Sequence, residues 1–186
     1  MDAQQLQAVA PTLTPTPELI VVSPLRRAVD TALLGFAHIF SDPSARDAIP
    51  LGRGDLHSSI PILGNELARE NYGRSERTPA HTPEPSGNIC DKRRPLSDIK
   101  ADYPYIDWAL VNDGPVDLVY QRGGETFESF VERGYNFMLW LAAREESTIV
   151  VACHSGFLLN VANCNINAIR FLELSIESAE ILENFP

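Results

Sequence analysis

The sequence predicts an α/β fold, a three-layer α/β/α sandwich around a mainly parallel sheet. Two kinds of segment carry that prediction. Residues 18–23 (ELIVVS) and 148–153 (TIVVAC) are short apolar runs without alternation, as strands buried on both faces are, and each leads at once into a helical pattern. Between them, residues 125–144 place apolar side chains at 127, 130, 131, 138, 141 and 142, which trace one face of a helix despite Gly134.

Taken in order, the first seventeen residues allow two helical turns around Gln5 to Ala8 and then break at Pro11, Pro15 and Pro17. The strand at 18–23 feeds PLRRAVDTALLGFAHIF, whose apolar residues recur at helical spacing. Residues 59–63 (SIPIL) predict a second short strand, followed by a helix around 66–71. Residues 74–102 are rich in proline, serine and charge with little periodicity, and predict a long surface excursion within one domain spanning 1–186. After the strand at 148–153 come His154, Ser155 and Gly156, an apolar helix at 157–162, a last strand at 168–174 and a polar tail. No internal repeat appears.

Twenty-five acidic against 15 basic residues give a net charge of −10, which repels polyanions and argues against nucleic acid or an anionic membrane as partner. Cys90, Cys153 and Cys164 form an odd set without CxxC spacing, and the four histidines contain no HxxxH pair. The expectation is a reduced chain with no metal and no cofactor. Neither a signal peptide nor a membrane span is legible, so a cytoplasmic location is expected.

The chemistry concentrates where the two strands turn into helices. ELIVVS-PLRRA and TIVVACHS-GFLLN each pass from an apolar strand through a serine into a helix. In an open parallel sheet such junctions lie at the carboxyl edge, where ligands bind and helix N-termini offer free N–H groups. Ser23 and Pro24 suit the N-cap and first helical position. Arg27, one turn into that helix, has a guanidinium fork that matches phosphate oxygens. Taken alone, an Arg-Arg pair is ordinarily a solvated surface feature, and a histidine at a strand end an ordinary hydrogen bonder. Cys153 and His154 are adjacent in a strand and point to opposite faces, and Ser155 lacks a GxSxG elbow, which argues against a cysteine or serine nucleophile.

VVSPLRRAVDTA resembles the S-P-L-x-R-A-x-x-T-A signature of the phosphoglycerate mutase-like histidine phosphatases. GGETFESFVERGYNFMLWL is similar to their G-E-S/T-x(n)-R helix, with Glu125 and Arg133 in its fixed places, and IVVACHSGFL to the strand bearing their second active-site histidine. The resemblance extends to the C-D-x-R-R segment of the plant, fungal and protist members, here NICDKRRPLSDIKADYP, and to the acidic-aromatic stretch PVDLVY. It implies a phosphate-binding Arg27, a phosphate-binding and catalytic His154 and, from ELARENYG, a proton-donating Glu70 with Glu66 as the alternative. Lys92, Arg93 and Arg94 form the one basic cluster of an acidic chain, read either as a receiver of an anionic substrate or as a solvated loop.

The same resemblance implies a nucleophilic histidine in an R-H-G motif at the end of a first strand, and no R-H-G occurs in these residues. The fold expected is therefore the phosphoglycerate mutase-like sandwich lacking its first strand. The leading expectation is a phosphomonoester hydrolase acting on a small phosphorylated substrate, N-terminally shortened here and inactive as it stands. The alternative is a phosphate-binding or partner-binding pseudoenzyme.

Overall fold

Four short strands, β1 (Leu19–Val22), β2 (Ile62–Asn65), β3 (Asp107–Leu110) and β4 (Ile149–Ala152), form one parallel sheet in the order β3-β2-β1-β4. A computed structural model describes residues 3–42, 49–72, 89–112, 114, 117–121 and 124–162. The helices are α1 (Ala3–Val9), α2 (Arg26–Gly35), α3 (Leu96–Asp102), α4 (Leu118–Gln121), α5 (Phe127–Ala142) and α6 (Ser155–Ala162).

β1 is buried at every position, which is why its sequence shows no polar alternation. Its side chains divide between two cores. Ile20 and Val22 join Val29, Ala32 and Leu33 of α2, whereas Leu19 and Val21 join Phe130, Phe137 and Met138 of α5 and Phe157 of α6. Successive strand residues point to opposite faces, so helices cover both sides of the sheet, and the sandwich expected from the sequence is the one observed.

Several local expectations shift. α2 begins at Arg26 with Leu25 as its extended N-cap, two residues later than the Ser23–Pro24 pair predicted. Leu25 is 2% exposed, and burying it keeps the chain extended past Pro24. β2 runs two to three residues beyond the expected 59–63, because Pro61 has no N–H for a ladder and serves only through its carbonyl, which accepts from Ile20 N at 3.0 Å. The helix expected around 66–71 is a single 3-10 turn, Glu66–Ala68. Its carbonyls are diverted, since those of Leu67 and Arg69 accept from the Arg133 guanidinium at 2.8 Å each.

β3 had no expectation attached to it. Only Trp108 of its four residues is buried, and that indole packs against Gly64, where an added Cβ would meet the ring at 2.1 Å. Of the excursion expected over 74–102, residues 89–102 are described, and they are not all surface: Leu96 and Ile99 of α3 enter the core and Asp91 and Arg93 are buried. Residues 74–88, like the strand expected at 168–174, lie outside the described residues. On α5, Phe130, Gly134, Phe137 and Met138 form the buried stripe, and Phe127, assigned to that face from sequence, is 67% exposed at the first turn.

Candidate functional site

The carboxyl ends of β1 and β4 lie side by side, with Val22 opposite Ala152 and Ser23 N donating to the Ala152 carbonyl at 2.9 Å. The residues that follow therefore meet. His154 Nε2 is 2.8 Å from Ser23 Oγ, and both side chains are buried. The His154 carbonyl accepts from Leu158 N at 2.9 Å, so this histidine caps α6, and the helix starts two residues earlier than expected.

Glu70 reaches the same helix start from the loop after β2. Its Oε2 accepts from Gly156 N at 3.3 Å and its Oε1 from Asn71 N at 2.9 Å. A Cβ on residue 156 would lie 2.6 Å from Glu70 Oε1, so glycine is what lets the carboxylate settle on the positive end of α6. Arg27 lies at the second position of α2, with its side chain 43% exposed. Its Nη2 donates to Asp91 Oδ1 at 2.5 Å and its Nη1 to the Cys90 carbonyl at 2.7 Å, which aims the guanidinium while leaving further N–H groups toward solvent.

Burial pushes the His154 imidazole down to a pKa of about 3, and the charges of Arg27, Arg69 and Arg133 add to that depression. The ring is thus neutral across the physiological range. Three guanidiniums act on this buried histidine, and each is held by carboxylates: Arg27 by Asp91, Arg69 by Asp117 and Glu66, and Arg133 by Glu125.

Behind these groups stands a frame of ion pairs that sequence reasoning did not assign. Arg69 binds Asp117 through both Nη atoms at 2.8 and 2.7 Å and Glu66 at 2.8 Å, with the Arg69 and Asp117 side chains 3% and 0% exposed. Burial would discharge this arginine, and its hydrogen bonds to Asp117 with the charge of Glu66 outweigh that and hold it charged. Asp117 also accepts from Arg93 N at 2.7 Å and Val119 N at 3.1 Å, so one carboxylate ties the loops after β2 and before α3 and α4 together. Arg133 on α5 binds Glu125 at 2.5 and 3.1 Å, as well as the carbonyls of Leu67, Arg69 and Glu70.

Two expectations change accordingly. Arg93 is 2% exposed and donates to the carbonyls of Arg94 and Asn112, so of the basic cluster at 92–94 this member is an internal strut rather than a receiver of substrate. Glu66 is committed to Arg69 and lies 3.3 Å from Arg93 Nε, misaligned for a hydrogen bond there, so of the two glutamates it is Glu70 that meets α6. Beside Arg27 a cavity of about 350 Å³ opens between the start of α2 and residues 89–94, lined among others by Leu25, Arg26, Ile89, Lys92, Arg94 and Tyr103. Among the described residues no His, Cys, Asp or Glu cluster has the arrangement to hold a metal ion, and no helix is long and apolar enough to cross a membrane.

Comparison with known proteins adds relatives to this geometry. The chain is 32% identical over 151 residues to a phosphoglycerate mutase-like protein of Arabidopsis thaliana, covering 76% of this chain and 51% of that protein. A second Arabidopsis relative, phosphoglycerate mutase-like protein 1, is 31% identical over 157 residues, covering 78% and 50%. The chain thus spans about half the length of the curated relatives it matches. The ecdysone phosphate phosphatase of Bombix mori, solved with tungstate, aligns at a TM-score of 0.47 and 18% identity over 92% of this chain and 60% of that one. No family model matches. The S-P-L-x-R, G-E-T and C-H-S-G segments occur in the family's order, and with these relatives they place the chain in the histidine phosphatase superfamily, among the phosphoglycerate mutase-like proteins.

Proposed function

We propose that these residues form the phosphate-binding half of a phosphomonoester hydrolase acting on a small phosphorylated substrate. The observation that carries the proposal is the convergence of His154 and Glu70 on one helix start, within the electrostatic reach of Arg27. In this reading the phosphoryl oxygens accept from the guanidinium of Arg27 and from the neutral imidazole of His154. Glu70, displaced from the Gly156 N–H by the stronger anion, takes up a proton from solvent and gives it to the departing oxygen. The cavity beside Arg27 falls in the size range of small-ligand sites, roughly 300 Å³ and upward, and suits the leaving group.

The covalent route of the family needs a nucleophilic histidine facing the phosphorus. His154 is engaged with Ser23, while His38 and His57 are exposed beyond the far end of α2, away from the carboxyl edge of the sheet. His81 lies outside the described residues. We therefore propose that these 186 residues alone bind phosphate without turnover, and that hydrolysis requires an R-H-G segment. Removing the nucleophile from a covalent mechanism costs on the order of a million-fold in rate. The test assays the purified chain on a panel of phosphomonoesters, with His154→Ala as control, traps any phosphohistidine, and titrates inorganic phosphate. Millimolar or tighter phosphate binding lost in the control supports the site. Robust turnover abolished in the control would show that another residue serves as nucleophile, and absence of phosphate binding would refute the anion site altogether.

A further inference from the structure

The contact between Ser23 and His154 has no role in the chemistry above, although its 2.8 Å lies within the range of a nucleophile and its base. A nucleophile must meet substrate, and Ser23 is 0% exposed, so attack by its hydroxyl is closed off. What a buried hydroxyl can do is dictate where a proton sits. Ser23 Oγ accepts from Leu25 N at 3.4 Å, and its other hydrogen-bond partner among the described residues is His154 Nε2. If the imidazole donated through Nε2, the serine would accept twice and its own proton would be buried without an acceptor, which costs about 1 to 3 kcal/mol. If the serine donates, every polar atom in the contact is satisfied.

We propose that Ser23 is a positioning residue whose hydroxyl donates to Nε2 of His154, fixing the ring as the Nδ1–H tautomer. Any hydrogen bond that His154 gives to an anion then comes from Nδ1, and the ring enters the site with one defined donor. This rests on the proposed phosphate role of His154 only for its consequence, since the tautomer is a property of the chain without ligand. The depression of His154 to about 3 supports it by keeping the ring neutral, the state in which a tautomer exists. The local geometry supports it as well: Ser23 is the residue directly after β1, anchored to β4 by its own N–H, and its Oγ is held between Leu25 N at 3.4 Å and His154 Nε2 at 2.8 Å.

The experiment records ring nitrogen shifts of His154 by ¹⁵N-edited NMR at pH 7 in the full chain, in Ser23→Ala and in Ser23→Thr, and titrates each with inorganic phosphate. The expected result is a protonated Nδ1 in the native chain and in Ser23→Thr. Ser23→Ala should give a mixed or Nε2-protonated ring and about tenfold weaker phosphate binding, the scale of one hydrogen bond. A native ring protonated at Nε2 overturns the proposal whether or not Ser23→Ala folds. The same tautomer in native and Ser23→Ala chains overturns it too, as does a changed tautomer with unchanged phosphate affinity. Failure of the native chain to bind phosphate refutes the anion site, while the native tautomer still decides the claim about Ser23.

Discussion

The carboxylate of Glu70 rests on the backbone N–H of Gly156 at 3.3 Å, two residues past His154 in sequence and across the sheet edge from its own strand. This contact joins the loop after β2 to the first turn of α6 by polar atoms that the absence of a side chain at 156 brings within reach. Because the obstacle to a larger residue is the far end of a flexible glutamate, Gly156→Ala should be tolerated by the fold and felt by Glu70. The expected change in stability is within about 1 kcal/mol, since alanine also favours a helix. Amide shifts of Asn71 and residue 156 should move as the carboxylate leaves. Unchanged amides would show that Glu70 does not hold this position.

Arg133 is the clamp that shapes the loop carrying Glu70. It binds the carbonyls of Leu67, Arg69 and Glu70 and the carboxylate of Glu125, whose side chain is 8% exposed, and it also lies over the rings of Phe130 and Phe157 at 5.0 and 5.5 Å. Arg133→Ala leaves Glu125 buried without its cation, and a loss of about 3 to 5 kcal/mol is expected by urea unfolding. Arg133→Lys keeps the charge without the fork and should recover only part of it. Equal stability of Lys and Arg at this position would mean that the carbonyl contacts contribute little.

Asp117 is fully buried and balances Arg69, so truncating one partner costs more than replacing both. Asp117→Ala should destabilise by about 3 to 5 kcal/mol, and the pair Arg69→Met with Asp117→Leu by clearly less than the single change. A double-mutant cycle by chemical denaturation measures this. Additive losses would show that the two charges are not coupled.

His154 links stability to pH. Its folded pKa of about 3 lies below the ordinary value of 6.5, so the unfolded chain binds the proton first as pH falls. Stability from this group is complete above about pH 7, declines as pH drops below 6.5, and continues to fall until pH 3. Between pH 7.5 and 5.0 the expected loss is roughly 2 kcal/mol, present in the native chain and absent in His154→Gln. Urea midpoints at the two pH values check it. A native chain no more sensitive than the variant would place the titration of His154 near its ordinary value.

Much of the frame was legible along the chain. The apolar runs at 18–23 and 148–153 are local signals, since a strand covered on both faces needs several apolar residues in succession, and each was followed by a helix of recognisable period. These local signals alone put Ser23, Arg27 and His154 at one sheet edge. β3 was invisible because a strand with one buried residue leaves no pattern, and the 3-10 turn at Glu66–Ala68 was missed because a distant arginine takes the carbonyls that a helix needs. The ion pairs behind the site were equally out of reach. Arg69 and Asp117 are 48 residues apart, Arg27 and Asp91 are 64 apart, and Ser23 and His154 are 131 apart. Charged residues are exposed by default, and nothing in their neighbours marks the exceptions. Local sequence determined which segments become strands and helices and which ends face each other. Only the folded chain decided which charges are removed from water together, because that depends on partners brought near by the sheet order, and the desolvation that makes such pairs matter arises only once the loops have closed over them.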